Sequence, residues 1–288
     1  MGFLIAHKRQ QQGEYMSIQF LTKNTDETLC ESLIEPFRFP AGEWHLRLPE
    51  KNVEPKSIAV IYGTDVNDLV VLGLWADAMK QRGERTTAYI PYFPAARADR
   101  GEPFGAKVYA NIVNSFELDE VVIFDPHSPV IVSLLNNVRV VDSATVIREA
   151  IGADLENYVG VIAPDKGAVE RAQRMADAMN VPLFKATKER DFATGKLLKF
   201  AVETLPSKGR LLIVDDICEG GGTFLGLAEV SGVPKERLSL WVSHGSFSGK
   251  ANLLTERFSR IYTTDSLPGA HRADVGARVT PIMPFLMN

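Results

Sequence analysis

Residues 211–224, LLIVDDICEGGGTF, constrain the fold of this chain more than any other stretch. Four apolar residues, 211–214, have the length of a buried strand, and Asp215 and Asp216 stand where that run ends. Glu219, three glycines (Gly220, Gly221, Gly222) and Thr223 follow, and 224–230 can open a helix. A short apolar strand passing through a glycine turn into a helix belongs in an open α/β sheet, where ligands bind beyond the carboxyl ends of the strands. Glycines let backbone N–H groups close around phosphate oxygens, and a helix N-terminus adds a favourable dipole. Paired carboxylates accept hydrogen bonds from sugar hydroxyls. One segment is thereby suited to hold a phosphorylated sugar by both ends.

The same alternation runs along the chain. Short apolar runs at 57–62, 86–90, 120–124, 159–163, 183–186 and 238–242 read as further strands. Helical apolar spacing appears at 68–82, closed by Gly83, and again at 106–116 and 167–179. Strands alternating with helices predict βαβ units and a mostly parallel sheet flanked by helices. The strand-then-acidic-turn pattern occurs in both halves, as VIFDPH (122–127) and VIAPDKGAVERA (161–172). The simplest division is two similar α/β domains, 16–152 and 153–288, joined near 150–157. Residues 1–15, with Lys8, Arg9 and three glutamines, read as a polar extension without the apolar core of a secretory signal, so that Met16 stands as an original start.

With 288 residues, one large or two ordinary domains fit. Lysines and arginines number 32 against 36 acidic residues, so bulk charge gives no reason to expect nucleic-acid binding. No apolar run is long enough to span a bilayer, and no membrane partner is expected. Cys30 and Cys218 are far apart and form no CxxC, which fits a reducing cytoplasm and offers neither a disulfide framework nor a zinc site.

Other segments carry chemistry beside a plainer reading. Asp125-Pro126-His127 can meet a divalent cation or a nucleotide phosphate, or be a turn with a capping aspartate and a surface histidine. Asp165, in Pro164-Asp165-Lys166-Gly167, can ligate Mg²⁺ or cap the following helix. PYFPAARADR (91–100) offers Arg97 and Arg100 to polyphosphate, or is a solvated loop. Lys188-Glu189-Arg190, past the 183–186 strand, offers two cations to a transferring phosphoryl group, or is an exposed charge run. Phe39, in Phe39-Pro40-Ala41-Gly42-Glu43, can stack on a base or pack in the core. Ser243-His244-Gly245 is ambiguous, and His7, His45 and His271 fit no metal spacing. Neither a GxxxxGK[ST] loop nor a GxGxxG fingerprint is present.

Taken in order from about residue 17 onward, these segments resemble the ribose-phosphate pyrophosphokinase (phosphoribosyl-diphosphate, PRPP, synthetase) family. PYFPAARADR resembles the family's nucleotide loop, FDPHS its metal-histidine turn, and APDKGAVERA its PDxGxxxRA segment. KER resembles its catalytic Lys-x-Arg, VDDICEGGGT its ribose-phosphate loop, SHGSFSG its THGxFSG and TTDSLP its TNTxP. The resemblance implies two phosphoribosyltransferase-like domains. It also implies transfer of the β,γ-diphosphate of ATP to the anomeric hydroxyl of ribose 5-phosphate, with Mg²⁺. Asp215 and Asp216 would hold the ribose hydroxyls, and Glu219, Gly220, Gly221, Gly222 and Thr223 would form the phosphate loop. His127 and Asp165 would bind Mg²⁺ or the nucleotide's phosphate end. Arg97 and Asp99 would contact ATP, Phe39 and Glu43 would build an adenine site that in the family lies across a subunit interface, and Lys188 and Arg190 would be catalytic. A homo-oligomer, dimer or hexamer, follows from the same resemblance.

The chain departs from that pattern in several places. Ala98 stands where the nucleotide loop usually has Gln, the loop is shorter, and Ala41 replaces a polar residue between Phe39 and Glu43. Glu219-Gly220-Gly221-Gly222-Thr223 replaces the usual Asp-Thr-Ala-Gly-Thr. Glycine leaves room, and a longer carboxylate repels a phosphate dianion. That combination points to a different acceptor, a larger 5-substituted ribose such as ADP-ribose. The family's terminal helix has no counterpart after 281–285. A phosphoribosyltransferase, which shares the strand–DD–loop segment, and a catalytically silent regulatory homologue are competing functions. The duplicated halves, His127, Lys188 and Arg190 favour the kinase-type reading over both.

Overall fold

The computed structural model describes residues 16–23, 28–51, 53, 56–190 and 197–288; the polar extension 1–15 lies outside them. Two compact units result, one running to Val141 and taking in Leu286–Asn288, the other spanning Asp142–Phe285.

The first unit contains β1 (Ile18–Lys23), β2 (Leu29–Glu31), β3 (Glu35–Arg38), β4 (Trp44–Arg47), β5 (Ile58–Ile61), α1 (Val66–Arg82), β6 (Thr87–Ile90), α2 (Gly105–Ser115), β7 (Glu120–Phe124), α3 (Pro129–Leu134) and β8 (Val138–Val141). Its six-stranded sheet has the order β2-β1-β5-β6-β7-β8. β5 to β8 are parallel, and β1 joins antiparallel to both β5 and β2. β3 and β4 form a separate antiparallel hairpin.

The longest helix shows how the sequence makes these elements. Leu69, Leu72, Ala76 and Met79 recur at helical spacing with Trp75, and all are buried. Asp65 caps the helix by accepting from the Asn67 N–H at 2.9 Å, which moves the start two residues ahead of the expected 68. Gly83, with φ +74°, ends it in the left-handed conformation.

The second unit contains α4 (Ser143–Ile151), β9 (Tyr158–Ala163), α5 (Val169–Met179), β10 (Leu183–Arg190), β11 (Leu197–Val202), β12 (Arg210–Cys218), α6 (Gly222–Ser231), β13 (Leu238–Gly245), α7 (Leu254–Arg257), β14 (Arg260–Thr264) and β15 (Arg278–Thr280). Its seven-stranded sheet runs β11-β10-β9-β12-β13-β14-β15, parallel except for the antiparallel β10–β11 pair. β13 is buried along its whole length, as expected of a parallel strand covered on both faces.

Three strands outrun their apolar cores. β12 continues beyond 214 through both aspartates, because Ile217 and Cys218 pair with His244 and Gly245 of β13. The carboxylates therefore project from the strand itself rather than from a turn beyond it. β13 likewise extends past 242 to Gly245. β10 passes beyond 186 to Arg190 because β11 supplies an antiparallel partner, with a register shift between Glu189 and Arg190.

Strand order in the second unit also singles out one place. From β9 the chain crosses to β10 on one side; from β12, beside β9, it crosses to β13 on the other. Right-handed crossovers leaving in opposite directions part at the carboxyl ends of β9 and β12 and open a crevice there. The parallel strands of the first unit progress in one direction only, β5 to β8, and have no such point. Among the described residues, no helix is long and apolar enough to cross a membrane.

Candidate active site

Asp165, Arg171, Asp215 and Asp216 converge at the β9/β12 crevice. Asp165 sits in the turn after β9, and its Oδ1 accepts from the Gly167 N–H at 2.9 Å and the Ala168 N–H at 3.2 Å. These bonds close the turn ahead of α5 rather than cap the helix, whose N-cap is Ala168, and they fix the carboxylate beyond the end of β9. Arg171, on the first turn of α5, is buried, and its Nη1 lies 3.8 Å from Oδ1 of Asp215 and 3.8 Å from Oδ1 of Asp216. The Asp216 N–H donates to Asp215 Oδ1 at 2.9 Å. Burial raises the Asp215 carboxyl well above the usual carboxylate range; the Asp216 charge and hydrogen bond push the same way, Arg171 opposes them, and Asp165 adds to the rise. Sequence reasoning alone gives Arg171 no role. The signal that marks it is a charged residue on the buried stripe of α5, beside Ala172, Met175 and Ala176.

The glycine-rich segment 219–223 follows directly. Beyond Cys218, Glu219 is exposed and Gly220 half-buried. Gly221 caps α6 with φ +78°, and a Cβ there would press on Leu254 at 3.0 Å, so the position needs glycine on both counts. Gly220 and Gly222 face open space. Thr223 is half-buried in the first turn of α6. The Cys218 thiol is buried, and desolvation, together with the nearby Asp215 charge, pushes it up to about 12.

A buried polar group adjoins this segment. His244 Nδ1 lies 2.8 Å from Ser266 Oγ, Ser266 Oγ donates to Ser243 O at 3.3 Å, and Thr264 Oγ1 donates to the same carbonyl at 2.7 Å. The Ser243-His244-Gly245 segment is therefore a satisfied internal network between β13 and the end of β14.

In the first unit, the 91–100 and 125–127 segments meet at the carboxyl ends of the adjacent strands β6 and β7, where the Phe124 N–H donates to Pro91 O at 3.1 Å. Arg97 is exposed, and Asp99 pairs with Arg100 at 3.3 Å. Ala98 packs tightly on Gly105, where a Cβ would come within 2.9 Å of it. Asp125 is buried with φ +37°, and His127 is half-buried two residues on. Phe39 is 45% exposed, so core packing does not hold for it. It lies at the β3–β4 turn, closed by Phe39 N–H to Glu43 O (2.9 Å) and Gly42 N–H to Phe39 O (2.8 Å). Its ring centroid is 5.0 Å from Phe37 and 5.7 Å from His45, which makes an outward aromatic platform, and Glu43 is exposed beside it. Trp44 and Leu46, on the other face of the hairpin, pack inward.

Lys188 and Arg190 lie on the outer half of β10, with Lys188 opposite Phe200 of β11; their side chains lie outside the described part of the structure. Among the described residues, no three His, Cys, Asp or Glu side chains gather as a metal cage.

Comparison with known proteins agrees with this layout. Residues 134–230 match the phosphoribosyl transferase domain model. The ribose-phosphate pyrophosphokinase of Cereibacter sphaeroides is 32% identical over 258 residues, covering 82% of this chain and 75% of the relative. This chain belongs to the ribose-phosphate pyrophosphokinase family. It is a diphosphotransferase-type enzyme by that membership. The family's Saccharolobus solfataricus member is 29% identical over 220 residues, 71% of this chain and 75% of the relative. The phosphoribosylpyrophosphate synthetase of Mycobacterium smegmatis shares the fold, with a TM-score of 0.76 at 23% identity over 89% of this chain and 88% of that one.

Proposed function

We propose that this family member transfers the β,γ-diphosphate of ATP to the anomeric hydroxyl of ribose 5-phosphate with Mg²⁺, giving PRPP and AMP. The observation that carries the reading is the Asp215–Asp216 pair at the β9/β12 crevice, bound to buried Arg171 and running straight into the open glycine loop. In this reading, Asp215 and Asp216 accept hydrogen bonds from the ribose hydroxyls, and backbone groups of Gly220, Gly221 and Gly222 with Thr223 cradle the 5-phosphate. The anomeric oxygen attacks the β-phosphorus, the bond from that phosphorus to the α-phosphate oxygen breaks, AMP leaves, and the hydroxyl proton passes to solvent. Such a transfer needs alignment and charge neutralisation more than covalent help. Lys188 and Arg190 supply that neutralisation, Arg97, Asp99 and His127 hold the nucleotide, and Phe39 with Glu43 receives the adenine.

Mg²⁺ fits the donors present. It is normally held by one or two carboxylates with substrate phosphates rather than by an all-protein cage; Asp165 would supply such a carboxylate, and His127 would meet the nucleotide's phosphate end. When bound, the ion would supply Lewis-acid stabilisation of phosphate charge. The adenine platform is the part of the site that the family completes from a neighbouring subunit, so a homo-oligomer belongs to this reading. The lone cysteines fit a cytoplasmic enzyme.

A second acceptor, ADP-ribose or a similar 5-substituted ribose, is favoured by one feature. Gly220 and Gly222 face open space beside the exposed Glu219 carboxylate, which suits a bulkier and less charged 5-substituent. Incubation with Mg·ATP and either ribose 5-phosphate or ADP-ribose, with products identified by mass, tests both. AMP release with PRPP supports the first reading. Equal or better turnover of ribose 5-phosphate removes the second. No AMP release together with PRPP-dependent base transfer overturns both in favour of a phosphoribosyltransferase.

A further inference from the structure

The turn that ends SHGSFSG has no part in the chemistry above, yet it is built with unusual care. Phe247 sits in it with φ +43°, a left-handed conformation that bulky residues rarely adopt, and its ring is buried. Such a residue persists only where its surroundings over-determine it. Gly245 leaves the space into which the Phe247 ring packs. Arg272 Nη1 donates to Phe247 O at 2.7 Å and to Gly249 O at 2.8 Å. The rest of the guanidinium is held by Asp274 in a two-point fork, Nε to Oδ1 at 2.6 Å and Nη2 to Oδ2 at 2.8 Å. From the other side of the turn, the Phe247 N–H donates to Cys218 O at 3.0 Å. Cys218 is the residue from which the 219–223 loop departs.

We infer that Arg272 is a positioning residue for the acceptor loop: oriented by Asp274, it clamps the 247–249 turn, and the turn fixes the Cys218 carbonyl at the loop's root. The inference rests on the reading that residues 219–223 bind the acceptor's phosphate end. An anchored root gives the glycine loop, flexible by composition, one starting direction. Arg is required because one planar group must serve two carbonyls and a carboxylate together, which a lysine ammonium does not match.

Arg272→Gln, Arg272→Lys and Asp274→Asn, with Thr223→Ala as a comparator in the loop itself, test the inference. Steady-state kinetics are measured with ribose 5-phosphate and with ADP-ribose against ATP, well below each variant's unfolding transition. Arg272→Gln is expected to raise the acceptor KM roughly threefold to thirtyfold, the range of coupling through a packed network. The ATP KM should stay within about twofold, since uniform loss of acceptor binding leaves the other substrate unaffected. Arg272→Lys should not restore the parent value, and Asp274→Asn should move the same KM in the same direction by less. An unchanged acceptor KM in Arg272→Gln and Asp274→Asn, while Thr223→Ala raises it, overturns the clamp alone. Equal rises in both KM values also overturn it, since they report general loosening. No effect from Thr223→Ala overturns the loop assignment and the clamp with it. Should Arg272→Gln not fold, Asp274→Asn decides.

Discussion

At the crevice, buried Arg171 stands beside buried Asp216 and part-exposed Asp215, and that crowding of acids around one guanidinium has measurable consequences. Removing one partner of a buried ion pair leaves an uncompensated charge and costs about 3–5 kcal/mol, whereas an exposed, solvent-screened pair such as Lys80–Glu117 contributes little. Arg171→Met is therefore expected to lower the denaturant midpoint by an amount of that order, while Lys80→Met leaves it nearly unchanged; urea melts of the two variants give the comparison. The pair also predicts a pH response. Because Asp215 is raised, it gains its proton above the usual carboxylate range as pH falls. A protonated carboxyl accepts fewer hydrogen bonds from sugar hydroxyls, so acceptor affinity should weaken on going from neutral to mildly acidic pH. Calorimetric titration of ribose 5-phosphate across that range checks the direction; a flat profile would contradict it. Asp215 and Asp216 are legible from residue type and place alone as paired carboxylates toward the carboxyl end of a strand. Arg171 is not, because an arginine in a helix reads as solvent-facing unless the fold brings acids to it.

At the scale of elements, the junctions between strands and helices carry the constraints. Asp68, on the first turn of α1, is fully buried and accepts from the backbone N–H groups of Ser17 and Ile18, both at 3.2 Å, pinning the start of β1. Burial raises its carboxyl above the ordinary value, and the hydrogen bonds only partly offset this. The folded state then holds the proton more tightly than the unfolded state. Stability from this group is present below the unfolded value near 3.8 and is lost as pH rises through the folded one. Asp68→Asn should remove that component, and thermal melts from acidic to neutral pH should show a smaller decline than in the parent. At the other junction, a Cβ on Gly269 would overlap the Ser246 carbonyl, which is backbone and cannot swing aside. Gly269→Ala should cost about 1–3 kcal/mol, as overpacking does, and lower Tm accordingly. Helices with a full apolar stripe and a glycine stop, such as α1, are readable within two residues. β10 and β12 read too short from sequence because polar residues end their apolar runs, while the hydrogen-bonding partners that prolong them, β11 and β13, come from elsewhere in the chain. β1 to β4 escape a sequence reading because each is short or mixed in pattern.

For the whole molecule, two sheets of one general kind differ in their topology. Of the two large sheets described, the second reverses its crossover direction among parallel strands, and there the two aspartates and the glycine loop stand; the first carries loops at the carboxyl ends of β6 and β7, and its unit a separate aromatic hairpin. Class and order of segments are legible because strand-turn-helix grammar is local. The strand order is not, because no residue states which neighbour its strand will choose. The Cys218 thiol adds a use for this arrangement. It is buried with its titration pushed to about 12, whereas Cys30, on an edge strand, is exposed. Thiolate is the reactive form, so an alkylating reagent at neutral pH should modify Cys30 promptly and Cys218 only when its strand end opens. Mass-resolved labelling of Cys218 then becomes a clock for opening beneath the 219–223 loop. Ribose 5-phosphate should slow that clock without changing the rate at Cys30, which reports ligand capture in an unmodified protein without any assay of turnover.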